Sequence, residues 1–250
     1  MTSAVLRNDE GEWESMRDLG AGMLRGYVER FAAKDEEWDV ICSEQTFRVP
    51  VKGAGFTAVG TMDGLWRNRA DSDRLVFKEF KTAKAVSLDA LPMDEQASMY
   101  WTYGPKWLWR QSILPIGVYP SEILYTFLRK AIPNPEHEFD EYGRKLNLDG
   151  ELSKAQPAPY FVRQPVYRDE ADRRNAHERL IAQVDEMKRV REGDLMAYKV
   201  PGPLHNPNCR GCPIRDPCEL HETGGDWEPL LRQLTEEWDP YAAHELTERR

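Results

Sequence analysis

The chain is 250 residues long, with 34 Lys and Arg against 43 Asp and Glu, a formal net charge of -9 and 40% hydrophobic residues. A chain of that length buries roughly 70% of the surface its unfolded form exposes and needs no disulfides to fold. Its acidic balance argues against a protein that coats nucleic acid nonspecifically, although a local basic groove is allowed. Its apolar runs, such as Leu75-Val76-Phe77, fall far short of the roughly 20 residues of a membrane span.

The first residues turn acidic by Asp9 without an apolar signal core, so the expectation is a cytoplasmic protein whose thiols stay reduced. Over 13–31, Met16, Met23, Leu24, Tyr27, Val28 and Phe31 recur at helical spacing and predict an amphipathic helix ending before the charges at 34–37. Residues 38–51, rich in Val, Ile, Phe and Thr, predict a strand, and Gly53 and Gly55 mark a turn before a second strand over 56–66. A polar loop over 67–74 leads to a third strand over 75–81. Pro92 opens a helix reaching about 109, with Asp94 and Glu95 complementing its N-terminal dipole. A further strand is expected over 117–129, a loop-rich excursion from the core over 133–165, and a long amphipathic helix over 169–192 that uses Leu180, Ile181, Val184, Met187 and Val190. A cysteine-bearing segment over 200–226 and an acidic tail complete the chain. The expected architecture is one α/β domain spanning 1–250, a mixed sheet flanked by helices, with its core at about 11–130.

The cysteines are unevenly placed. Cys42 stands alone, while Cys209, Cys212 and Cys218 fall within NCRGCPIRDPC. A C-x2-C pair lets two thiolates reach one metal from a single turn, and the third thiolate suits an iron-sulfur cluster or a zinc site, both of which need four ligands. Cys42, His205 and His221 are the candidates for the fourth ligand, and spacing does not choose between them. Buried or surface thiols without a metal are the plainer reading.

The stretch GTMDGLWRNRADSDRLVFKEFKTAK carries the most chemistry. An antiparallel hairpin centred near Asp71 sets Asp63 opposite Glu79, and like charges directly opposite are unfavourable unless a cation lies between them. Glu79 and Lys81, two apart on a strand, emerge on one face. An ammonium beside a carboxylate-bound cation can orient an attacking water and stabilise a pentacovalent phosphate. A solvated, charged strand face is the ordinary alternative.

Gly60-Thr61-Met62-Asp63, then Glu79-Phe80-Lys81-Thr82, then Gln96-Ala97-Ser98-Met99-Tyr100 resembles the motif series of the PD-(D/E)XK nucleases, in particular the RecB-like branch, where a Q-x3-Y helix follows the E-x-K strand. The C-x2-C-x5-C pattern is similar to the iron-sulfur members of that branch, which include the AddB nuclease domain and the CRISPR adaptation nucleases, and the chain looks most like phage-encoded RecB-like exonucleases. The resemblance covers about 38–130 and 200–226. It implies a restriction-endonuclease-like core and a metal-dependent deoxyribonuclease acting on DNA ends, single-stranded ones in the first place, in phage or bacterial recombination and repair. The compartment would then be the bacterial host's cytoplasm, with a recombination protein as a possible partner. Asp63, Glu79 and the backbone carbonyl of Phe80 would hold Mg2+ or Mn2+, Lys81 would position or activate the water, and Gln96 and Tyr100 would line the same cleft. Cys209, Cys212 and Cys218 would bind a 4Fe-4S cluster, with Zn2+ as the alternative. Two departures stand out. RecB-like enzymes carry a metal-binding histidine on an N-terminal helix, yet His137, His177, His205, His221 and His244 all follow Lys81. The iron-sulfur members also place their first cluster cysteine on or before that helix, whereas Cys42 follows it.

A phosphodiesterase must hold a polyanion against its own carboxylates. Arg67, Arg69, Lys78, Lys84, Lys106, Arg110, Arg129 and Lys130 lie in or next to the motifs, and Arg67, Lys84, Arg129 and Lys130 are the expected DNA contacts. Glu44, on the first strand, is read first as a salt-bridge residue and second as a ligand to a second metal. Tyr100, Trp101, Tyr103, Trp107 and Trp109 read first as core, with base stacking as the alternative. Two rival functions remain: a structure-specific or nicking endonuclease, and a non-catalytic DNA- or protein-binding adaptor on the same scaffold.

Overall fold

The computed structural model describes residues 10–134, 136–140, 143–195 and 212–236, with the side chains of the first helix described from Glu14 onward. Two compact units, 1–181 and 182–250, divide the chain, and the boundary falls within the third helix.

In the first unit a long hairpin supplies β1 (Trp38–Val51) and β2 (Phe56–Asn68). Positive φ at Gly53 and Gly55 builds its turn, where a side chain would be strained. β2 turns back antiparallel into β3 (Leu75–Ala83), and Asn68 stabilises the reversal by accepting from the Ala70 and Asp71 amides at 3.0 Å each. β3 pairs in parallel with β4 (Glu122–Arg129), a connection that requires a crossover, here α2 (Glu95–Arg110). β5 (Phe161–Tyr167) adds antiparallel to β4, so the sheet is mixed, in the order β1-β2-β3-β4-β5. The expected mixed α/β architecture with flanking helices is what the first unit contains.

Helices cover both faces of the sheet centre, which explains why β4 is buried from Glu122 to Leu128 and β3 from Leu75 to Glu79. The α2 face holds the larger core, including Phe47, Met62, Leu65, Phe77, Trp101, Tyr103 and Tyr125. Trp101 and Tyr103 are each 1% exposed, and burying aromatics of that size contributes at most about 5 kcal/mol apiece. A Cβ on Gly104 would stand 2.8 Å from the Met62 sulfur and 3.2 Å from the Phe77 ring, so the absence of a side chain there lets α2 lie close to the sheet. On the opposite face, α1 (Glu10–Asp35) covers β4 and β5, and Trp38, Val76 and Leu124 form a smaller cluster.

Several boundaries and faces differ from the expectation. The excursion over 133–165 ends in a sheet strand that begins at Phe161. Pro165 within it removes a backbone donor, which an edge strand tolerates and a central one does not. β4 starts at Glu122 rather than near 117. On α1 only part of the predicted apolar set faces inward: Met23 and Phe31 are buried, whereas Met16, Leu24 and Val28 are at least half exposed. The helix expected over 169–192 is α3 (Glu170–Glu192), and Met187 on it is 70% exposed.

The second unit contains the remainder of α3 with α4 (Arg215–Glu222) and α5 (Glu228–Leu234). α5 begins within the stretch expected to be an acidic tail. Among the described residues, no helix is long and apolar enough to cross a membrane.

Candidate active site

The register of β2 and β3 runs from Arg67 opposite Leu75 to Gly64 opposite Lys78. One step further, Asp63 comes level with Glu79, and there the carboxylate takes the place of a ladder bond: Asp63 Oδ2 accepts the Phe80 amide at 2.7 Å. In an extended strand N–H and C=O of one residue point to the same side, so the Phe80 carbonyl is also directed toward β2. β1 leaves its ladder at the same level. Its pairing passes from Ser43 with Gly64 to Gln45 with Met62, and Glu44 between them has φ of 47°.

Phe77, Glu79 and Lys81 share the α2 face of β3, whereas Val76, Lys78 and Phe80 share the other. Glu79 is 3% exposed. Its Oε1 pairs with Lys81 Nζ at 2.6 Å, and its Oε2 is buried without a hydrogen-bond partner. Lys81 Nζ also donates to Gln96 Oε1, and Gln96 Nε2 donates to the Tyr100 hydroxyl at 2.6 Å. Gln96 and Tyr100 lie one turn apart on α2, which brings both over the end of β3. Glu79, Lys81, Gln96 and Tyr100 therefore form one continuous chain of contacts, with Asp63 beside it.

Burial dominates the electrostatics. It pushes the Glu79 carboxyl up to about 7, with the charges of Asp63 and Asp94 acting in the same direction and Lys81 opposing. Burial also raises Asp63, reinforced by the Glu44 charge and opposed by the Phe80 amide and Lys81. The Tyr100 hydroxyl is raised by burial and then by the Glu79 charge, so it acts as a neutral donor or acceptor at ordinary pH.

Two further residues belong to this site. Asp94 caps α2 with Oδ1, accepting the Gln96 amide at 2.9 Å, and its Oδ2 accepts from the Tyr125 hydroxyl at 2.7 Å. Tyr125 is the β4 residue level with Glu79. Asp before a helix is a readable cap signal. The Tyr125 contact had no sequence signal, because it depends on the parallel register of β3 and β4.

The cations divide. Lys84, Arg129 and Lys130 sit at the C-terminal ends of β3 and β4, the end where ligands bind open α/β sheets, and Lys84 and Lys130 are exposed. Arg129 donates to the Ala158 carbonyl at 2.6 Å and stacks over Tyr160. Arg67 is at the other end. It pairs with Leu75, six residues before Lys81 and so about 20 Å away along the strand, and it is not brought to the site. Lys78 is corrected more sharply. It is 1% exposed on the α1 face, too buried for a DNA contact. Arg69 is ion-paired with Asp39. The stacking alternative also falls for Tyr100, Trp101 and Tyr103, which are buried in the core. Trp107 and Trp109 are partly buried against that core, and Trp109 donates to the Val118 carbonyl.

Cys42 lies half-buried on β1, opposite Leu65, and burial raises its thiol pKa. In the second unit Cys212 is half-buried ahead of α4, Cys218 is exposed on it, and His221 contacts the Trp227 ring edge-on. Cys209 and His205 lie outside the described residues. Among the described residues, no group of three or more His, Cys, Asp or Glu side chains is arranged to hold a metal ion.

No known protein family matches this chain, and no curated protein matches it.

Proposed function

We propose that the chain is a divalent-metal-dependent DNA exonuclease of the RecB-like PD-(D/E)XK type, hydrolysing phosphodiester bonds at single-stranded DNA ends in phage or bacterial recombination and repair. The observation that carries this reading is the placement of Lys81 Nζ between Glu79 and Gln96, with Asp63 level with Glu79 one strand away.

The residues suit Mg2+ or Mn2+. Hard cations take oxygen ligands, and Mg2+ commonly uses one or two carboxylates with water completing its shell. Asp63 and Glu79 provide two carboxylates, the Phe80 carbonyl is directed to the same side, and the buried, unpartnered Glu79 Oε2 is an acceptor that such an ion would satisfy. When bound, the ion offsets phosphate charge and makes water a better nucleophile. Lys81, fixed by Glu79 and Gln96, donates a hydrogen bond that orients the attacking water and offsets charge on the phosphate. Tyr100 holds Gln96 in turn. Lys84 and Lys130 draw the DNA backbone toward the strand ends.

In the same reading, Cys209, Cys212 and Cys218 would supply three of the four ligands of a 4Fe-4S cluster, with Cys42, His205 and His221 as the candidates for the fourth and Zn2+ as the alternative metal.

Hydrolysis of end-labelled single- and double-stranded DNA, with and without Mn2+, tests the activity, with covalently closed circular DNA as control. The expected result is Mn2+-dependent release of label from single strands, with closed circles left intact. Cleaved circles would replace this reading with an endonuclease. DNA binding without hydrolysis, and without a calorimetric signal for Mn2+, would replace it with an adaptor.

A further inference from the structure

We propose that Asp94 is a positioning residue that sets Lys81 through Gln96, by tying the N-terminus of α2 to β4. The inference rests on the nuclease reading for its catalytic consequence, but not for its structural content.

The two Asp94 oxygens do different work. Oδ1 caps α2 at the Gln96 amide, so it fixes the backbone of the residue whose side chain accepts from Lys81. Oδ2 accepts from Tyr125, which lies level with Glu79 on the neighbouring strand. The Asp94 carbonyl is occupied too: Ser98 Oγ donates to it at 2.9 Å and Arg168 Nη2 at 3.3 Å. The contacts form a closed loop from Glu79 to Lys81, Gln96, Asp94 and Tyr125, and across the β3–β4 ladder back to Glu79.

A cap alone needs only one oxygen. Serine caps a helix about as well as aspartate, but its single hydroxyl cannot also reach Tyr125. A side chain placed only to start α2 would be replaceable by serine. One placed to hold Gln96 over Lys81 would not, because without the Tyr125 tie the first turn of α2 can drift, and a 1 Å displacement of a reacting group can cost on the order of 100-fold in rate. Asparagine discriminates further. Its oxygen retains the cap, and its amide can donate to the Tyr125 hydroxyl, which keeps the tie with its polarity reversed.

The test compares Asp94→Ser, Tyr125→Phe and Asp94→Asn in the full chain. Three quantities are measured: the thermal midpoint, the NMR signal of the Lys81 ε-methylene (assigned by its loss in Lys81→Arg), and kcat and KM for Mn2+-dependent hydrolysis of a single-stranded end. Asp94→Ser and Tyr125→Phe are expected to remain folded, to shift the Lys81 signal, and to lower kcat roughly 10- to 100-fold with KM within about twofold. Asp94→Asn is expected to restore both. An unmoved Lys81 signal and unchanged kcat in Asp94→Ser and Tyr125→Phe would overturn the proposal. If Asp94→Ser does not fold, Tyr125→Phe decides alone, since it leaves the cap intact. If the wild-type chain hydrolyses no DNA, the nuclease reading fails, and the Lys81 signal still decides whether Asp94 positions that lysine.

Discussion

Glu79 and Lys81, two positions apart on β3, meet in a 2.6 Å ion pair that uses only one of the two Glu79 carboxylate oxygens, while the other is buried without a partner. Ionised Glu79 is therefore an unfavourable charge in the metal-free protein. Glu79 has its folded-state pKa raised to about 7 from an ordinary 4.5, so the native state binds the proton more tightly than the unfolded chain does. Stability from this group is fully present below about pH 4.5, declines as pH rises toward 7, and is absent above that. In divalent-free buffer Glu79→Gln should be more stable than wild type at pH 8, by about 1 to 3 kcal/mol, with the gain gone at pH 4. Urea melts at the two pH values measure this, and an equal ΔΔG at both would contradict it.

Lys81→Ala and Asp63→Ala should separate chemistry from folding. Both are expected to lose Mn2+-dependent DNA hydrolysis, by at least about 100-fold for Lys81→Ala. Lys81→Ala removes the partner of the buried Glu79 carboxylate and should cost about 1 to 3 kcal/mol near pH 8 but little at pH 4, where Glu79 is protonated, whereas Asp63→Ala strips the Phe80 amide of its acceptor and should cost about 1 to 2 kcal/mol. Full activity in either folded variant would remove these residues from the site.

Behind the site, on the α1 face, Asp35 holds two cations. Arg163 reaches it at 2.8 Å and Lys78 at 3.5 Å, and the Tyr27 hydroxyl donates to it as well. Breaking this network at its anion leaves two buried cations uncompensated, so Asp35→Asn should cost about 3 kcal/mol. Lys78→Met should be within about 1 kcal/mol of wild type or more stable, because burial pulls the Lys78 pKa down to about 8 and the charged form carries the desolvation penalty. The sign follows: the penalty is present while Lys78 is charged and fades as pH rises above 8, so any gain from methionine should shrink there. Chemical denaturation at pH 7 and pH 9.5 checks both points.

Two glycines of α1 should respond in opposite ways. A Cβ on Gly20 would meet nothing within 4 Å, so Gly20→Ala should stabilise by about 0.5 to 1 kcal/mol through helix propensity. A Cβ on Gly26 would stand 2.3 Å from the Phe161 ring of β5, so Gly26→Ala should destabilise by about 1 to 3 kcal/mol. Thermal midpoints moving in the same direction would contradict the packing of α1 on β5.

The cysteine segment has a direct optical test. Protein purified anaerobically should be brown, with iron and sulfide in stoichiometric amounts, and Cys212→Ser should bleach it. Colourless protein with stoichiometric zinc would assign the thiolates to Zn2+ instead.

Much of the hairpin was legible before folding. The strand expected over 38–51 has those bounds, and the level placement of Asp63 and Glu79 follows from a turn near Asp71, because antiparallel register is set locally by the turn. Gln96 and Tyr100 could be placed on one helix face for the same local reason. Less of α1 was legible. Its apolar residues lie on two faces, and sequence periodicity does not say which of Met23 or Leu24 turns toward the sheet. β5 was hidden by Pro165 and by a composition that does not alternate.

Local periods and turn chemistry thus determine from sequence which residues form the strands around the carboxylates and which side of β3 carries Glu79 and Lys81. The tertiary structure alone decided that Lys78 is buried against Asp35 and that Asp94 reaches Tyr125. Each of these depends on the parallel docking of β4 on β3 or on the choice of face for α1. Such long-range contacts are settled by the packing of the whole core, which no local spacing encodes.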